Sequence, residues 1–250
     1  MKYLLAGVVL YCHLVSATTT CPGIWRVAYN TDWLPYVSLT DQAVSGTDVE
    51  LVRSLTQQLG SNLQLIQMSE QRALQQLQQG GLDLLFAASY TKERAAYAYF
   101  SIPYRQETIT AVLHKDLLAE QPELKNSAAF YQLAAKRWSG AVNTAGYYGE
   151  DFEYFKLHQG QNRLFHVAEE LRRLQMVAQG RAQYSLVDPV VARYHIKQHP
   201  ELAELQLLPF MLHKSTIHLM LSKKTVSPLC LQQLDALLKA YLNQQTASEQ

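Results

Sequence analysis

The sequence predicts an α/β protein in which two lobes, joined by a hinge, enclose a ligand cleft. From Trp25 onward, short β-branched or apolar runs alternate with amphipathic helical stretches, which is typical of mostly parallel sheets covered by helices on both faces. The same alternation starts again near Gly140, so a second unit follows the first. A final strand and helix after residue 213 must pack somewhere, and we expect them to return to the first unit.

The first unit is predicted to begin with the strand "IWRVAY" and the helix "TDVELVRSLTQQLG". We expect a capping box at the start of this helix, with Thr47 reaching Glu50, and a stop at Gly60. Its other predicted elements are a strand at 62–67, a helix that Gly80 ends, a strand at 82–86 and a strand at 107–114.

The second unit repeats this order with the predicted segments "GAV", "EDFEYFKLHQ", "RLFHV", "EELRRLQMVAQG", "YSLVD", "PVVARYHIKQH" and "LQLL". If "STIHLMLSKK" and the helix "LQQLDALLKAYL" return to the first unit, the chain crosses between units near 107–114 and 208–214. Two crossings make a hinge. We therefore assign residues 22–110 plus 211–245 to lobe 1 and residues 111–210 to lobe 2.

The first 17 residues are predicted to be an export signal. Lys2 precedes an apolar run that ends in Val15, Ser16 and Ala17, small residues at the spacing that signal peptidases prefer, so we expect cleavage after Ala17. No later stretch approaches the roughly 20 apolar residues of a spanning helix, and we expect a water-soluble mature protein.

Charge and cysteine content restrict the possible partners. The net charge is +1 and falls to zero when Lys2 is removed, so the chain offers no field for nucleic acid or anionic lipid. Cys21 and Cys230 remain, one near each end, in a compartment where disulfides persist. A bridge and two unpaired thiols both stay open, because the sequence does not show whether the Cβ atoms come within ~4 Å.

Arg94 is the strongest candidate for binding an anion. In "LDLLFAASYTKERAAYAYFSIPY", it lies in the first turn of the helix after Ser89, where the helix dipole favours negative charge. An anionic partner removes this conflict: the guanidinium can make two bonds to a carboxylate that Ser89 supports from below. The alternative is a solvated surface arginine paired with Glu93 or another acid.

Asp188 is the matching candidate for a cation. Followed by Pro189, it reads as the N-cap of a helix, and this structural role is sufficient to explain it. It also ends a strand of the second unit, at the edge where open α/β sheets bind ligands. If the lobes face each other, Arg94 and Asp188 suit a zwitterionic α-amino acid.

The remaining candidates are weaker. Trp33, in a loop that contains Pro35, either stacks on a ligand or plugs the end of the sheet. His195 and His199 are four residues apart on a helix but lack a third ligand, so we expect no metal. No nucleophile elbow, phosphate loop or dinucleotide fingerprint occurs, and we expect no cofactor.

The segments "GTDVELVRSLTQQLG", "ALQQLQQGGLDLLFAASYTKERAAYAYFSIPY" and "AQGRAQYSLVDPVVA" resemble, in order and spacing, the family 3 bacterial solute-binding proteins, which are periplasmic receptors for polar amino acids. The resemblance covers about residues 25–241 and is most specific at 83–104. It implies a periplasmic-binding-protein-like fold of class II topology, a monomer in the periplasm, and a partner permease of an ABC importer.

The resemblance also implies a ligand site. Arg94, helped by Ser89, grips the ligand carboxylate, Asp188 binds the ammonium, and Trp33 stacks on the side chain. Three further contacts complete the predicted set: Ala87, Glu70 and Asn30.

Three positions depart from the family pattern. Ala87 stands where a hydroxyl or glycine is common, which removes a hydrogen bond worth about 1 kcal/mol. Gln183 replaces an acid, and Glu70 replaces an aromatic or apolar residue and would favour a basic ligand side chain.

The expected function is capture of an amino acid or similar small zwitterion by a receptor that makes no bond and is not an enzyme. One alternative is an enzyme of the cyclohexadienyl-dehydratase type, which resembles these receptors and needs a general acid such as Glu70. Another is a sensory binding protein without a transporter. The sequence does not name the ligand.

Overall fold

The computed structural model describes residues 21–30, 33–40, 43–160 and 163–248. The expected export signal, residues 1–17, lies outside the described residues, and its cleavage stays a prediction. Within the described ranges, no helix combines the length and the apolar character needed to cross a membrane.

The predicted elements occur in the predicted order, and the structure adds helices at Lys115–Ala119 and Ser127–Lys136 that the sequence analysis did not predict. The strands are β1 (Ile24–Tyr29), β2 (Ser38–Leu39), β3 (Val44–Ser45), β4 (Asn62–Gln67), β5 (Leu84–Ser89), β6 (Ala98–Phe100), β7 (Arg105–His114), β8 (Gly140–Val142), β9 (Leu164–His166), β10 (Tyr184–Val187), β11 (Leu205–Leu207) and β12 (His213–Ser222). The helices are α1 (Thr47–Gln58), α2 (Glu70–Gln79), α3 (Lys92–Tyr97), α4 (Lys115–Ala119), α5 (Ser127–Lys136), α6 (Glu150–Phe155), α7 (Glu170–Ala178), α8 (Pro189–Gln198) and α9 (Pro228–Ser248). A π-helical segment (Lys156–Gly160) continues α6, and a 3-10 turn (Pro200–Leu202) follows α8.

The main strands form one mixed sheet in the order β4-β1-β5-β12-β7-β10-β8-β9, with β6 beside β12 and β11 beside β7. The pairs β4-β1, β1-β5, β10-β8 and β8-β9 are parallel, as alternating strands and helices require. The central strands β12 and β7 run antiparallel to their neighbours. The sheet is therefore parallel in each wing and antiparallel at its centre.

The chain crosses between the two lobes along adjacent paths. Strand β7 pairs with β12 through residues 105–109 and with β10 and β11 through 110–114. The return path runs beside it: the N–H groups of Leu208 and Leu212 donate to Ala111 O and Ile109 O at 2.9 and 2.7 Å. The expected two-lobe architecture with class II topology is confirmed, while the boundaries 22–110 plus 211–245 and 111–210 stay predictions.

Each lobe has an apolar core of its own. In the first, Trp25 of β1 packs with α1 residues and with Leu234 and Leu238 of α9, so the C-terminal helix does return to the first lobe. In the second, Phe130 and Tyr184 lie at the centre of an aromatic cluster, with ring centroids 5.0 Å apart. Since apolar burial is the main favourable term in folding, each lobe has a core that can hold its own shape.

Two local predictions are wrong. Helix α1 begins after Gly46, whose φ is 116°, and no side chain caps it, so the capping box between Thr47 and Glu50 does not form. A Cβ at Gly46 would overlap the Tyr36 carbonyl oxygen, and this close approach, rather than side-chain capping, determines where the helix starts. The strand expected at 82–86 is instead Leu84–Ser89, because the chain after Gly81 is still completing the turn that ends α2.

The two cysteines are joined. Cys21 and Cys230 form a disulfide with a Cα–Cα distance of 5.0 Å, which ties the chain before β1 to helix α9. The alternative of two unpaired thiols is therefore not what the structure shows.

Replacing both cysteines (Cys21→Ser with Cys230→Ala) should lower the free energy of unfolding by about 5 kcal/mol, because the bridge closes a loop of 209 residues. Urea denaturation of both proteins, with and without dithiothreitol, measures this. The reductant should destabilise the wild type and leave the variant unchanged. Two thiols that react with iodoacetamide in denatured, unreduced wild type would contradict the bridge.

Candidate functional site

A cavity of about 200 Å³ lies between the lobes. All seven residues expected to contact a ligand line it: Asn30, Trp33, Glu70, Ala87, Ser89, Arg94 and Asp188. The structure therefore brings the expected site together in one place. Whether each of these residues touches a ligand stays a prediction.

Arg94 is held by backbone carbonyls rather than by an acid. Its backbone N–H donates to Thr91 Oγ1 at 3.1 Å, which caps α3. Its side-chain Nη1 donates to Ser89 O at 3.2 Å, and Nη2 donates across the cavity to Ala145 O at 3.3 Å. No salt bridge to Arg94 occurs among the described residues, so the pairing with Glu93 is absent. The guanidinium keeps N–H groups for a further acceptor.

Asp188 is the N-cap of α8, and it also faces the cavity. Its Oδ1 accepts from the Val190 N–H at 2.7 Å, as an N-cap does, and its Oδ2 accepts from the Tyr36 hydroxyl of the other lobe at 3.4 Å. The residue is only 4% exposed. The cap therefore occupies one oxygen and leaves the second directed towards the first lobe.

Trp33 is positioned by a buried arginine. Its ring lies 4.7 Å from the Tyr36 ring, and the Arg105 guanidinium lies 4.0 Å from the Tyr36 centroid and 5.1 Å from the Trp33 centroid. A cation over aromatic faces attracts both rings. This contact fixes the loop after β1 against the hinge strand and places Trp33 at the wall of the cavity.

Ala87 has left-handed backbone geometry, with a φ of 56°. Its N–H donates to Tyr104 Oη at 2.9 Å, and that hydroxyl donates to Asp48 Oδ2 at 2.7 Å. Asp48 is buried and also pairs with Arg105 Nη2 at 3.3 Å. A network of buried polar groups thus maintains a strained turn of the backbone beside the cavity.

Glycine adopts positive φ without strain. Ala87→Gly should therefore lower the free energy of unfolding by less than about 0.5 kcal/mol, or raise it. Ala88→Gly is the matched control: Ala88 is buried and has no positive φ, and its replacement should cost about 1 kcal/mol or more. Urea denaturation compares the two. Equal losses would show that Ala87 is not strained.

Glu70 also connects the lobes. It opens α2, and its Oε2 accepts from Asn143 Nδ2 of the second lobe at 2.9 Å. Burial raises the pKa of Glu70, while the nearby Arg94 opposes that rise. With the bonds from Arg94 to Ala145 and from Tyr36 to Asp188, this contact holds the lobes together around the cavity.

Gln183, the second departure from the family pattern, does not line the cavity. Its Oε1 accepts from the Ser139 N–H and the Ser139 hydroxyl, each at 2.8 Å. In the first lobe Asp83 does the same, because its Oδ2 accepts from the Arg26 N–H at 2.8 Å. In the second lobe, the amide oxygen of Gln183 accepts the backbone hydrogen bond that the Asp83 carboxylate accepts in the first lobe. The replacement of the acid by Gln183 therefore affects a backbone contact outside the cavity rather than the ligand site.

Two further acids line the cavity that sequence reasoning missed. Glu107 is 8% exposed on β7, with Oε1 4.0 Å from Arg105 Nη1, and Glu170 is 5% exposed at the start of α7, with Oε2 3.2 Å from Arg173 Nη2. Burial raises the pKa of each to about 7, and the negative charge of Asp188 adds to both rises. Arg105 opposes the rise at Glu107, and Arg173 opposes it at Glu170.

The sequence did contain a signal for both. Glu107 shares a strand face with Arg105 and the apolar Ile109, at the start of a strand that becomes apolar towards its end. Glu170 and Arg173 stand three apart on the buried stripe of α7, beside Leu174. Charged residues at core positions are rare unless they are paired. A glutamate at a position where the periodicity predicts a buried residue is therefore a signal of a site.

A glutamate with a folded-state pKa of about 7 binds a proton that it loses in the unfolded chain, so stability falls as pH rises from about 4.5 to 7. Glu107→Gln should therefore raise the free energy of unfolding by about 1–3 kcal/mol at pH 8 and leave it nearly unchanged at pH 5. Urea denaturation at both pH values measures the difference, with Glu123→Gln as the exposed control. A gain that is equal at both pH values would contradict the titration.

The structure gives no support for a metal site at the two histidines. The rings of His195 and His199 lie 5.9 Å apart, centroid to centroid, on α8. Among the described residues, no three His, Cys, Asp or Glu side chains are grouped so that they could hold a metal ion.

Two α/β lobes around a shared cavity define a solute-binding protein of the periplasmic-binding-protein fold. The chain belongs to the bacterial extracellular solute-binding proteins, family 3, whose model matches residues 25–247. A curated relative, cyclohexadienyl dehydratase of Pseudomonas aeruginosa, is 25% identical over 182 residues. The match covers 72% of this chain and 65% of the length of that relative.

Two solved structures illustrate the fold. The ancestral amino acid-binding protein AncCDT-1, described as a precursor of cyclohexadienyl dehydratase, is similar with a TM-score of 0.74 and 21% identity, over 91% of this chain and 93% of that one. The amino acid ABC transporter substrate-binding protein AbpA of Streptococcus pneumoniae, bound to L-arginine, has a TM-score of 0.74 and 19% identity, over 91% and 92% of the two chains. At these identities the likeness shows the fold.

Proposed function

We propose that this protein is a periplasmic receptor that captures an amino acid or a similar small zwitterion between its lobes and delivers it to the permease of an ABC importer. The observation that carries the proposal is the pair of opposite charges on opposite walls of one cavity: Arg94 in the first lobe and Asp188 in the second. No bond is made or broken, and closure of the lobes is the working step.

The pair suits a zwitterion for an electrostatic reason. Arg94 is already oriented by Ser89 O and Ala145 O, so its free N–H groups can bind a carboxylate without a large loss of side-chain entropy. Asp188 is oriented by the Val190 N–H and can accept from an ammonium. Because Asp188 is buried and Arg94 is half-buried at the cavity wall, removing one would leave the opposite charge of the ligand unpaired, at a cost of several kcal/mol.

The family and the solved relatives support the receptor reading. The family description is extracellular solute binding, and the streptococcal relative is an ABC transporter substrate-binding protein that holds L-arginine. These facts favour a periplasmic location and a transporter partner for this chain. We propose that it acts as a monomer.

Arg94→Ala should reduce affinity at least 100-fold, which is about 2.7 kcal/mol, without unfolding the protein. The probes are the twenty common L-amino acids, screened by thermal shift and then by calorimetry, since a ligand at 100 times its Kd adds about 2.7 kcal/mol of stability. Arg72→Ala, an exposed arginine on α2, is the matched control and should bind like the wild type.

Wild-type affinity in Arg94→Ala would refute the binding role of this arginine. If none of the twenty amino acids stabilises the wild type, the receptor proposal fails in its amino-acid form.

A second candidate function is an enzyme of the cyclohexadienyl-dehydratase type. It is favoured by the buried carboxyls Glu107 and Glu170, whose pKa of about 7 lies in the range that general acids use. Glu70, the residue first considered for this role, lines the same cavity. Incubation with prephenate or arogenate, followed by product absorbance, separates the two functions, and turnover that Glu170→Gln abolishes would favour the enzyme.

A further inference from the structure

We propose that the ligand carries two cationic groups, as a basic amino acid does, and that Glu170 binds the second of them. The inference rests on the proposed function, because it assigns the ligand α-carboxylate to Arg94 and the α-ammonium to Asp188. It adds the chemical class of the ligand and a residue that selects it.

The first observation is the charge of the cavity wall. Four acidic side chains but only two basic ones line the cavity: Glu70, Glu107, Glu170 and Asp188 against Arg94 and Arg173. Since the pKa values of Glu107 and Glu170 are about 7, both acids are partly protonated at neutral pH, and a neutral zwitterion leaves that balance as it was. A ligand with an additional cation favours their ionised form and pairs with it, and buried charges are tolerated when they are paired.

The second observation is an oxygen atom without a partner. Glu170 is 5% exposed, and its Oε2 accepts from Arg173 Nη2 at 3.2 Å. Its Oε1 is buried and accepts no hydrogen bond from the described residues. A buried carboxylate oxygen is costly when left unsatisfied. Because Glu170 lines the cavity, a donor on the ligand can reach this atom.

Arg173 does not remove the need for that donor. Its Nη1 donates to Val167 O at 2.9 Å and to Ala168 O at 2.7 Å, so the guanidinium is shared between two backbone carbonyls and Glu170. Arg173 anchors Glu170 from the protein side.

The surroundings of Glu170 favour a cation rather than a neutral donor. Asp188 at the start of α8 and Glu107 on β7 both act on Glu170 with negative charge. A cation placed among these acids is attracted by all three, whereas an anion or an apolar group is not. The Trp33 side chain also lines the cavity and acts on Glu170 in the direction that favours its charged form.

The experiment compares ligands that differ in charge and little in shape. Calorimetry with L-arginine and L-citrulline replaces the guanidinium by a neutral ureido group, and L-lysine with L-norleucine removes an ammonium. In the wild type, at least one basic amino acid should bind about 10- to 100-fold more tightly than its neutral counterpart, which corresponds to about 1.4–2.7 kcal/mol.

In Glu170→Gln, the ratio within that pair should fall below about 5-fold. Glu169→Gln is the matched control, because the neighbouring residue loses the same charge from a side chain that is 43% exposed. It should keep the wild-type ratio. Circular dichroism reports whether Glu170→Gln is folded, and the wild-type comparison stands without it.

Each outcome has a distinct meaning. If neutral amino acids bind the wild type as tightly as basic ones, the two-cation inference is wrong and the receptor function stands. If the basic ligand keeps its advantage in Glu170→Gln, the assignment of this residue is wrong. If no amino acid binds at all, the receptor proposal fails in its amino-acid form and the two-cation inference fails with it.

Discussion

The buried guanidinium of Arg105, the first residue of the hinge strand, is the contact on which the cavity wall depends. It lies over the Tyr36 and Trp33 rings and pairs with Asp48. Burial disfavours its charged form, but Asp48 and its other neighbours raise the pKa of Arg105 above its ordinary value, so the cation is permanent. One charge therefore fixes the loop after β1 and the start of α1. Through Asp48 and Tyr104, it also holds the strained backbone at Ala87.

The position of Arg105 links this network to both lobes. Strand β7 continues from it into the second lobe, and Glu107 lies two residues further along the same strand face. Acids from both lobes meet there, since Glu107, Asp188 and Glu170 act on one another electrostatically. A cation that enters the cavity would relieve repulsion between the lobes as they close. Closure and charge selection would then be the same physical event.

The two lobes use different side chains for corresponding contacts. Asp83 in the first and Gln183 in the second accept from a neighbouring strand at corresponding places. At the cavity, Arg94 of the first lobe is held by backbone carbonyls, whereas Asp188 of the second lobe is held as a helix cap.

The local order of strands and helices, the candidate pair Arg94 and Asp188, and the two-lobe arrangement were all readable from the sequence, because periodicity, caps and strand ends are short-range features. The partner of Cys21, the start of α1 at Gly46 and the meeting of Glu107 and Glu170 at one cavity were not. Each of these depends on which distant segments come into contact. A glutamate at a core position becomes a site residue only when folding places other charges and an empty space beside it, and the tertiary structure alone decides that.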